Sequence, residues 1–261
     1  RLTTPHHATP RRGVAAADRA IVVRELARAA AERLGHRVSF SPKVDPNNAG
    51  NGVHIHMSFR DRQRQPVAYD PDMPHGVSAL MGSFVAGILR RLPSIIAVTA
   101  PSAASYQRLN PHSWSSTYNN LGHRDREAAV RICPVSDAPG ANVAAAFNVE
   151  FRAGDAAASP YLQLGILVRA GLEGIRDKLP LPETTSSDPD AMTDAERAAK
   201  GVVRLPTSLS DALDALEAAE GIRDLIPGEL FDAYVMHKRG ELAAIDGLDD
   251  AEICRRYAEV Y

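Results

Sequence analysis

Apolar residues recur at helical spacing between residues 14 and 34. Ile21, Val22, Val23, Leu26 and Leu34 fall near one face, Arg and Glu fill the other, and Gly35 ends the run. The pattern predicts an amphipathic helix with that apolar stripe on the core. A short strand over 37–41 precedes a turn-rich stretch, residues 44–52. From Val53 to Phe59 the alternation is strict, with Val53, Ile55, Met57 and Phe59 on one face and His54, His56 and Ser58 on the other, the signature of a strand. Residues 76–98 are apolar enough for one or two helices, with a break expected at Pro93. A long polar loop is expected over 101–120, carrying the single tryptophan, Trp114. Two further strands are predicted near 128–132 and 148–152, then a helix over 160–179 with proline in its first turn. Residues 180–190 read as a polar linker, followed by helices near 193–200, 208–219, 227–245 and 249–260.

Composition narrows the class. Of the 261 residues 44% are apolar and 24% charged, as in ordinary globular proteins, and a chain of this length needs no staples to hold a core. Two cysteines, Cys133 and Cys254, with no CxxC pair, exclude a disulfide framework and a thiolate zinc site. They favour a reducing, cytoplasmic compartment. The longest apolar stretch, from Val77 to Leu89, reads as too short to span a bilayer, and the first twelve residues hold no apolar core of a secretion signal. With no initiator methionine, the chain is expected to begin inside a longer gene product. Charge is uneven. Residues 1–179 carry a net +8 and residues 180–261 a net −10. A mildly basic first part without a dense basic stripe, and with only 5% aromatics, points to a small anion rather than a nucleic acid.

The common short catalytic motifs, GxxxxGK, GxGxxG, GxSxG and HExxH, are absent. Polar residues on strands remain. His54 and His56 share a strand face just after Gly50-Asn51-Gly52, where a backbone approaches a ligand closely. HxH alone is equally consistent with two surface histidines. In Asn148-Val-Glu-Phe-Arg152, Val149 and Phe151 face a core while Asn148, Glu150 and Arg152 face away from it, onto either a site or solvent. Arg131 projects from its strand between Val130 and Ile132, Arg126 just precedes that strand, and Arg108 lies in Ser105-Tyr-Gln-Arg-Leu-Asn-Pro111. Singly, each arginine reads as a surface ion pair. Together with Glu150 and the histidines they suggest a site for anions and a divalent cation.

These residues carry a resemblance. Ala49-Gly-Asn-Gly-Val-His-Ile-His-Met-Ser58 resembles the glycine-then-HxHxS strand of the glutamine synthetase family. Arg126-Glu-Ala-Ala-Val-Arg-Ile-Cys-Pro134 resembles its arginine-rich strand, and the block from Asn148 to Tyr161 resembles its EFR…D…NPY segment. Phe40-Ser-Pro-Lys43, the Arg108 loop and Tyr257-Ala-Glu-Val-Tyr261 follow in the family's order, so the likeness runs from about residue 14 to the last residue. It implies an α+β fold, a curved, largely antiparallel sheet flanked by helices, with an acidic helical C-terminal segment. Residues 1–180 would form a catalytic core, incomplete on its N-terminal side, and 181–261 the helical remainder of the same domain.

The resemblance also implies roles. His54 and Glu150 match metal ligands for Mg²⁺ or Mn²⁺. His56 and Ser58 match the ATP pocket, and Arg126 and Arg131 match arginines that hold nucleotide phosphates and the acyl-phosphate transition state. Gly50, Arg108 and Arg152 match the glutamate clamp. Large stacked homo-oligomeric rings are implied, with no nucleic-acid or membrane partner. Two positions depart from the pattern. Six residues after Arg108 the family has an ammonium-binding glutamate, whereas this chain has Trp114, which offers a π face to a larger amine and takes no proton. Asn148 stands where the family often has a phosphate-binding arginine. The family's remaining metal-binding carboxylates come from strands upstream of Arg1. The expected activity is therefore an ATP-dependent γ-glutamyl ligase using a polyamine, ethanolamine or similar amine. Ammonia as the amine, and a catalytically inactive regulatory or structural homologue, are the alternatives.

Overall fold

The computed structural model describes residues 13–111, 115–136, 138–185 and 188–261; Trp114 lies outside them. In chain order the elements are α1 (Val14–Arg33), β1 (Ile55–Met57), α2 (Ala79–Thr99), α3 (Ala103–Arg108), β2 (Leu121–His123), β3 (Val130–Ile132), α4 (Val143–Ala146), β4 (Val149–Phe151) and α5 (Pro160–Arg176). There follow β5 (Thr184–Thr185), α6 (Asp194–Ala199), α7 (Leu209–Ala218), α8 (Ile222–Leu225), α9 (Gly228–Ala244) and α10 (Asp250–Val260). The strands form one sheet in the order β1-β4-β3-β2-β5. This is the expected α+β class with flanking helices, but the pairing is mixed. β1–β4 and β4–β3 are antiparallel, whereas β3–β2 and β2–β5 are parallel. Residues 121–123 and 184–185 are too short and polar to have announced themselves as strands, and the second pair lies in the segment expected to be a linker.

One face of the sheet is apolar. Ile55, Met57, Val130, Ile132, Val149 and Phe151 pack against a core to which α2, α5 and α7 also contribute. Leu205, Leu209, Leu213, Leu216 and Phe231, all beyond residue 180, belong to that same core. The crossing of α2 and α5 is close enough that backbones touch. A Cβ added at Gly87 would overlap the carbonyl of Ala170, and one at Gly174 would overlap that of Ser83. Only hydrogen fits at those positions.

Three expectations about the helices are corrected. The first is the break at Pro93: α2 runs straight through it. Proline cannot donate to the carbonyl one turn back, and Leu89 O instead accepts from Asn119 Nδ2 at 3.1 Å. A buried side chain thus replaces the missing backbone donor. The uninterrupted helix is long and apolar enough to cross a membrane by length and composition, which the shorter sequence stretch was not, but most of it is buried inside the protein. The second concerns α1, whose inward face is Ala17, Ile21 and Arg24. It is tied down by Arg24 Nη1 donating to Ala156 O at 2.8 Å and by Tyr161 Oη donating to Asp18 Oδ1 at 2.7 Å. Val22, Val23, Leu26 and Leu34, expected on the core, are exposed. The third is the polar loop over 101–120, which contains α3. Ser102 Oγ accepts from Ser105 N, and Ser105 Oγ accepts from Ser102 N, a reciprocal cap that starts the helix.

Residues 37–41 are not a strand. Phe40 N donates to Tyr261 O at 2.7 Å and its ring is covered by Arg24 and Arg28, so no ladder forms there.

Replacing Asn119 by alanine leaves Leu89 O unpaired in the core. It also removes Asn119 Oδ1, which accepts from Val203 N at 2.7 Å. The expected loss is about 3 kcal/mol of unfolding free energy in urea titration. In a Pro93→Ala background, where the restored amide donates to Leu89 O, the loss should shrink by about 1 kcal/mol.

Candidate active site

The register of three strands builds a row. His56 on β1 lies opposite Glu150 on β4, which lies opposite Arg131 on β3. Because side chains alternate, Arg152 joins Glu150 on that face and His54 joins His56. Glu150 is only 2% exposed and Arg152 is buried with it, while His54 and His56 reach solvent at the edge strand.

A buried carboxylate has to be compensated, and here four groups converge on it. His54 Nδ1 lies 2.8 Å from Glu150 Oε1, Arg152 Nη1 3.0 Å and His56 Nε2 3.5 Å, while Arg131 Nε stands 2.6 Å from Oε2. Burial pushes the Glu150 carboxyl upward, but the His54 bond and the charges of Arg152, His54 and Arg131 outweigh it and hold the group at about 2.

A second layer orients the first. His56 Nδ1 is 2.8 Å from Asn148 Oδ1, to which it donates, and Asn148 Nδ2 donates to Ala146 O at 3.0 Å. That bond turns the His56 Nε2 edge toward Glu150. Asn148, a departure from the family pattern, therefore acts here as the anchor of His56. Arg152 Nε donates to Arg126 O at 2.9 Å, fixing its fork. The Cys133 sulfur lies 3.7 Å from His56 Nδ1, and burial pushes its thiol up.

Arg108, 5% exposed, forms the adjoining part. Its Nη2 donates to Gly154 O at 3.1 Å. A Cβ at Gly50 would overlap the Arg108 Cγ, and one at Gly52 would come within 3.0 Å of Nη1, so the glycine loop lies directly on this side chain. Ser115 Oγ donates to Arg108 O at 2.8 Å and pins the end of α3.

Of the residues singled out from the sequence, His54, His56, Arg131, Glu150 and Arg152 come together, with Gly50 and Arg108 beside them. Arg126 contributes its carbonyl, while its side chain is exposed, as is Ser58 on the strand face of His54 and His56. Asn148 as an anchor and the Gly154 carbonyl are not legible in the sequence, because their partners lie 92 and 46 residues away, and no motif marks Ser115, whose partner is seven residues back. Cavities of about 530 Å³ beside Phe231 and about 120 Å³ beside Tyr234 lie elsewhere.

The donor set fits a divalent cation at two positions. Glu150 Oε2 is buried and has no hydrogen-bond partner, since the Arg131 Nε–H does not point at it despite its closeness. With His54 Nδ1 directed at Glu150, its Nε2 is left as an acceptor, the arrangement in which a carboxylate orients a metal-binding imidazole. Among the described residues no group of three or more His, Cys, Asp or Glu is gathered for a metal. His54 and Glu150 would thus supply part of a coordination shell.

A family model, glutamine synthetase catalytic domain, matches residues 7–257. The gamma-glutamylpolyamine synthetase GlnA3 of Streptomyces coelicolor is 39% identical over 249 residues, 95% of this chain and 52% of its own length. The glutamine synthetase of Methanocaldococcus jannaschii is 31% identical over 226 residues, 86% of this chain and 48% of its own. A solved structure described as a novel glutamine synthase homolog superposes with a TM-score of 0.84 at 42% identity, covering 95% of this chain and 54% of that one. The chain spans about half the length of the curated relatives it matches.

The depressed Glu150 predicts an acid limb. A carboxyl at about 2 when folded and 4.5 when free contributes stability that is fully present above pH 4.5 and is lost as the pH falls toward 2. The contribution is at most about 3 kcal/mol. In urea titrations from pH 7 to 3, the stability gap between the parent protein and Glu150→Gln should be widest above pH 4.5 and narrow below it.

Proposed function

The chain belongs to the glutamine synthetase family, and from that premise we propose that it is the catalytic part of an ATP-dependent ligase joining the γ-carboxyl of glutamate to an amine other than ammonia. The observation that carries the reading is the row His56–Glu150–Arg131 with His54, Arg152 and Arg108 around it: cationic and metal-competent groups gathered on one face of a sheet. ATP and glutamate are both multiply negative, and bringing them together requires such a face.

In the proposed reaction a γ-carboxylate oxygen attacks the terminal phosphorus of ATP and ADP departs, leaving γ-glutamyl phosphate. The amine nitrogen then attacks the acyl carbon, phosphate leaves, and the nitrogen gives up a proton to solvent. Arg131 and Arg126 would meet the charge on the phosphoryl oxygens, where fixed guanidinium groups stabilise transfer without reorganising. Arg108 and Arg152 would grip the glutamate, with the Gly50 backbone beside it. His56 and Ser58 would line the nucleotide side. Mg²⁺ or Mn²⁺, held partly by His54 and Glu150, would supply charge neutralisation at the phosphates.

The identity of the amine rests on two supports. Trp114 stands where the family pattern has a proton-accepting glutamate, and the GlnA3 relative is named for polyamines. A polyamine, ethanolamine or a similar base fits a π-faced site. The glutamine synthetases among the relatives keep ammonia as the second reading. A large cytoplasmic homo-oligomer accompanies the proposal.

The test is phosphate release by full-length protein with ATP, glutamate, Mg²⁺ and a panel of amines, with product masses read in parallel. One or more organic amines should support turnover at least about tenfold more efficiently than ammonium. Ammonium as the best substrate would overturn the amine assignment, and protein that binds no nucleotide by calorimetry would overturn the ligase. Trp114→Glu should shift preference toward ammonium by a similar factor.

A further inference from the structure

Arg108 poses an electrostatic problem that its own hydrogen bonds do not solve. It is buried, its Nε has no hydrogen-bond partner, and it feels the like charge of Arg152. Glycines 50 and 52 press on it, so it has no room to turn away. A buried guanidinium beside another needs a fixed counter-charge. We propose that Asp155 is that counter-charge, a positioning residue that holds Arg108 in place beside Arg152. The inference rests on the reading of those two arginines as the clamp for the acid substrate.

Asp155 is suited to the task by its surroundings. It is 1% exposed and follows Gly154, whose carbonyl accepts from Arg108 Nη2. Its own N–H donates to Thr99 O at 3.1 Å, which ties its backbone to the end of α2. One carboxylate oxygen, Oδ1, accepts from Ala157 N at 3.0 Å, and Ser105 is among the groups that pull the carboxyl down. Ser105 and Arg108 are three residues apart on α3, hence on one face of it. The other oxygen, Oδ2, is buried with no hydrogen-bond partner, like Arg108 Nε. Burial pushes the Asp155 carboxyl up, and Arg108 is the foremost influence pulling it back. The other buried cation acting on Asp155, Lys238, is already committed to Glu241 Oε1 at 2.7 Å. The turn after β4, which carries Arg152, is tied to α3 by the Arg108 bond to Gly154 O, and Asp155 is the buried carboxylate next in that turn.

A residue that merely filled space would lower stability and leave substrate affinity alone; a positioning charge sets that affinity as well. In full-length protein, Asp155→Asn should raise KM for glutamate about tenfold or more, with kcat within about threefold and KM for ATP unchanged. Asp155→Glu, which keeps the charge but lengthens the side chain, should move the same KM in the same direction by less. Calorimetric titration with glutamate should show a matching loss of affinity for both variants. An Asp155→Asn protein with a lower melting temperature but an unchanged glutamate KM and dissociation constant overturns the proposal. If Asp155→Asn does not fold, Asp155→Glu decides in the same way. Parent protein that binds glutamate but turns over no amine would refute the ligase and leave this inference to the binding data. Parent protein that binds no glutamate would refute both.

Discussion

Everything on the polar face of the sheet depends on one buried negative charge. Glu150 sits on β4, between β1 and β3, and the side chains opposite it in register on both neighbours come within 3.5 Å of its carboxylate. Without it the guanidinium groups of Arg131 and Arg152 would stand uncompensated at the edge of a protein interior, a state that costs several kcal/mol per ion. With it they and the two histidines form a compact array around one carboxylate. The strand register is therefore also an electrostatic requirement. A slip by one residue would put Val149 or Phe151 among the cations and Glu150 into the apolar core.

The array is supported from behind by elements far away in sequence. β4 is followed by the Gly154–Asp155 turn, which touches both α3 and the end of α2. Helix α3 is in turn held by α10: Gln107 Nε2 donates to Asp250 Oδ1 at 3.1 Å, and Cys254 Sγ donates to Gln107 Oε1 at 2.8 Å. The acidic helical segment is thus coupled to the arginine-bearing face through Gln107, the immediate neighbour of Arg108. Part of its negative charge is answered locally, by pairs such as Arg223–Asp232 and Lys238–Glu241.

Much of this was legible in the sequence, and the reasons for the exceptions are physical. The alternations around His54–Ser58 and Asn148–Arg152 identified the correct faces, because a strand that buries one side has no other way to pattern itself. Length was less legible, since β1 and β4 keep only three paired residues each. Periodicity failed at α1, where Ala17 and polar ties rather than Val22, Val23 and Leu26 set the inward face. Local rules failed at Pro93, because the compensating donor, Asn119, comes from a different part of the chain. For the site, the His, Glu and Arg positions could be named from motif order, but the side chains that aim them could not. Asn148 became an anchor only through its contact with His56, 92 residues away.

The intimate contact of α2 with α5 bears on attempts to make the protein more heat-resistant. Exchanging helical glycines for alanine is a standard route, because it restricts the disordered chain and raises helix propensity. Here the route divides sharply. Gly87, Gly171 and Gly174 each face a neighbouring atom with no space for a methyl group, whereas Gly165 on α5 and Gly240 on α9 face open space. A programme of thermal hardening would begin at the latter two and leave the helix crossing untouched.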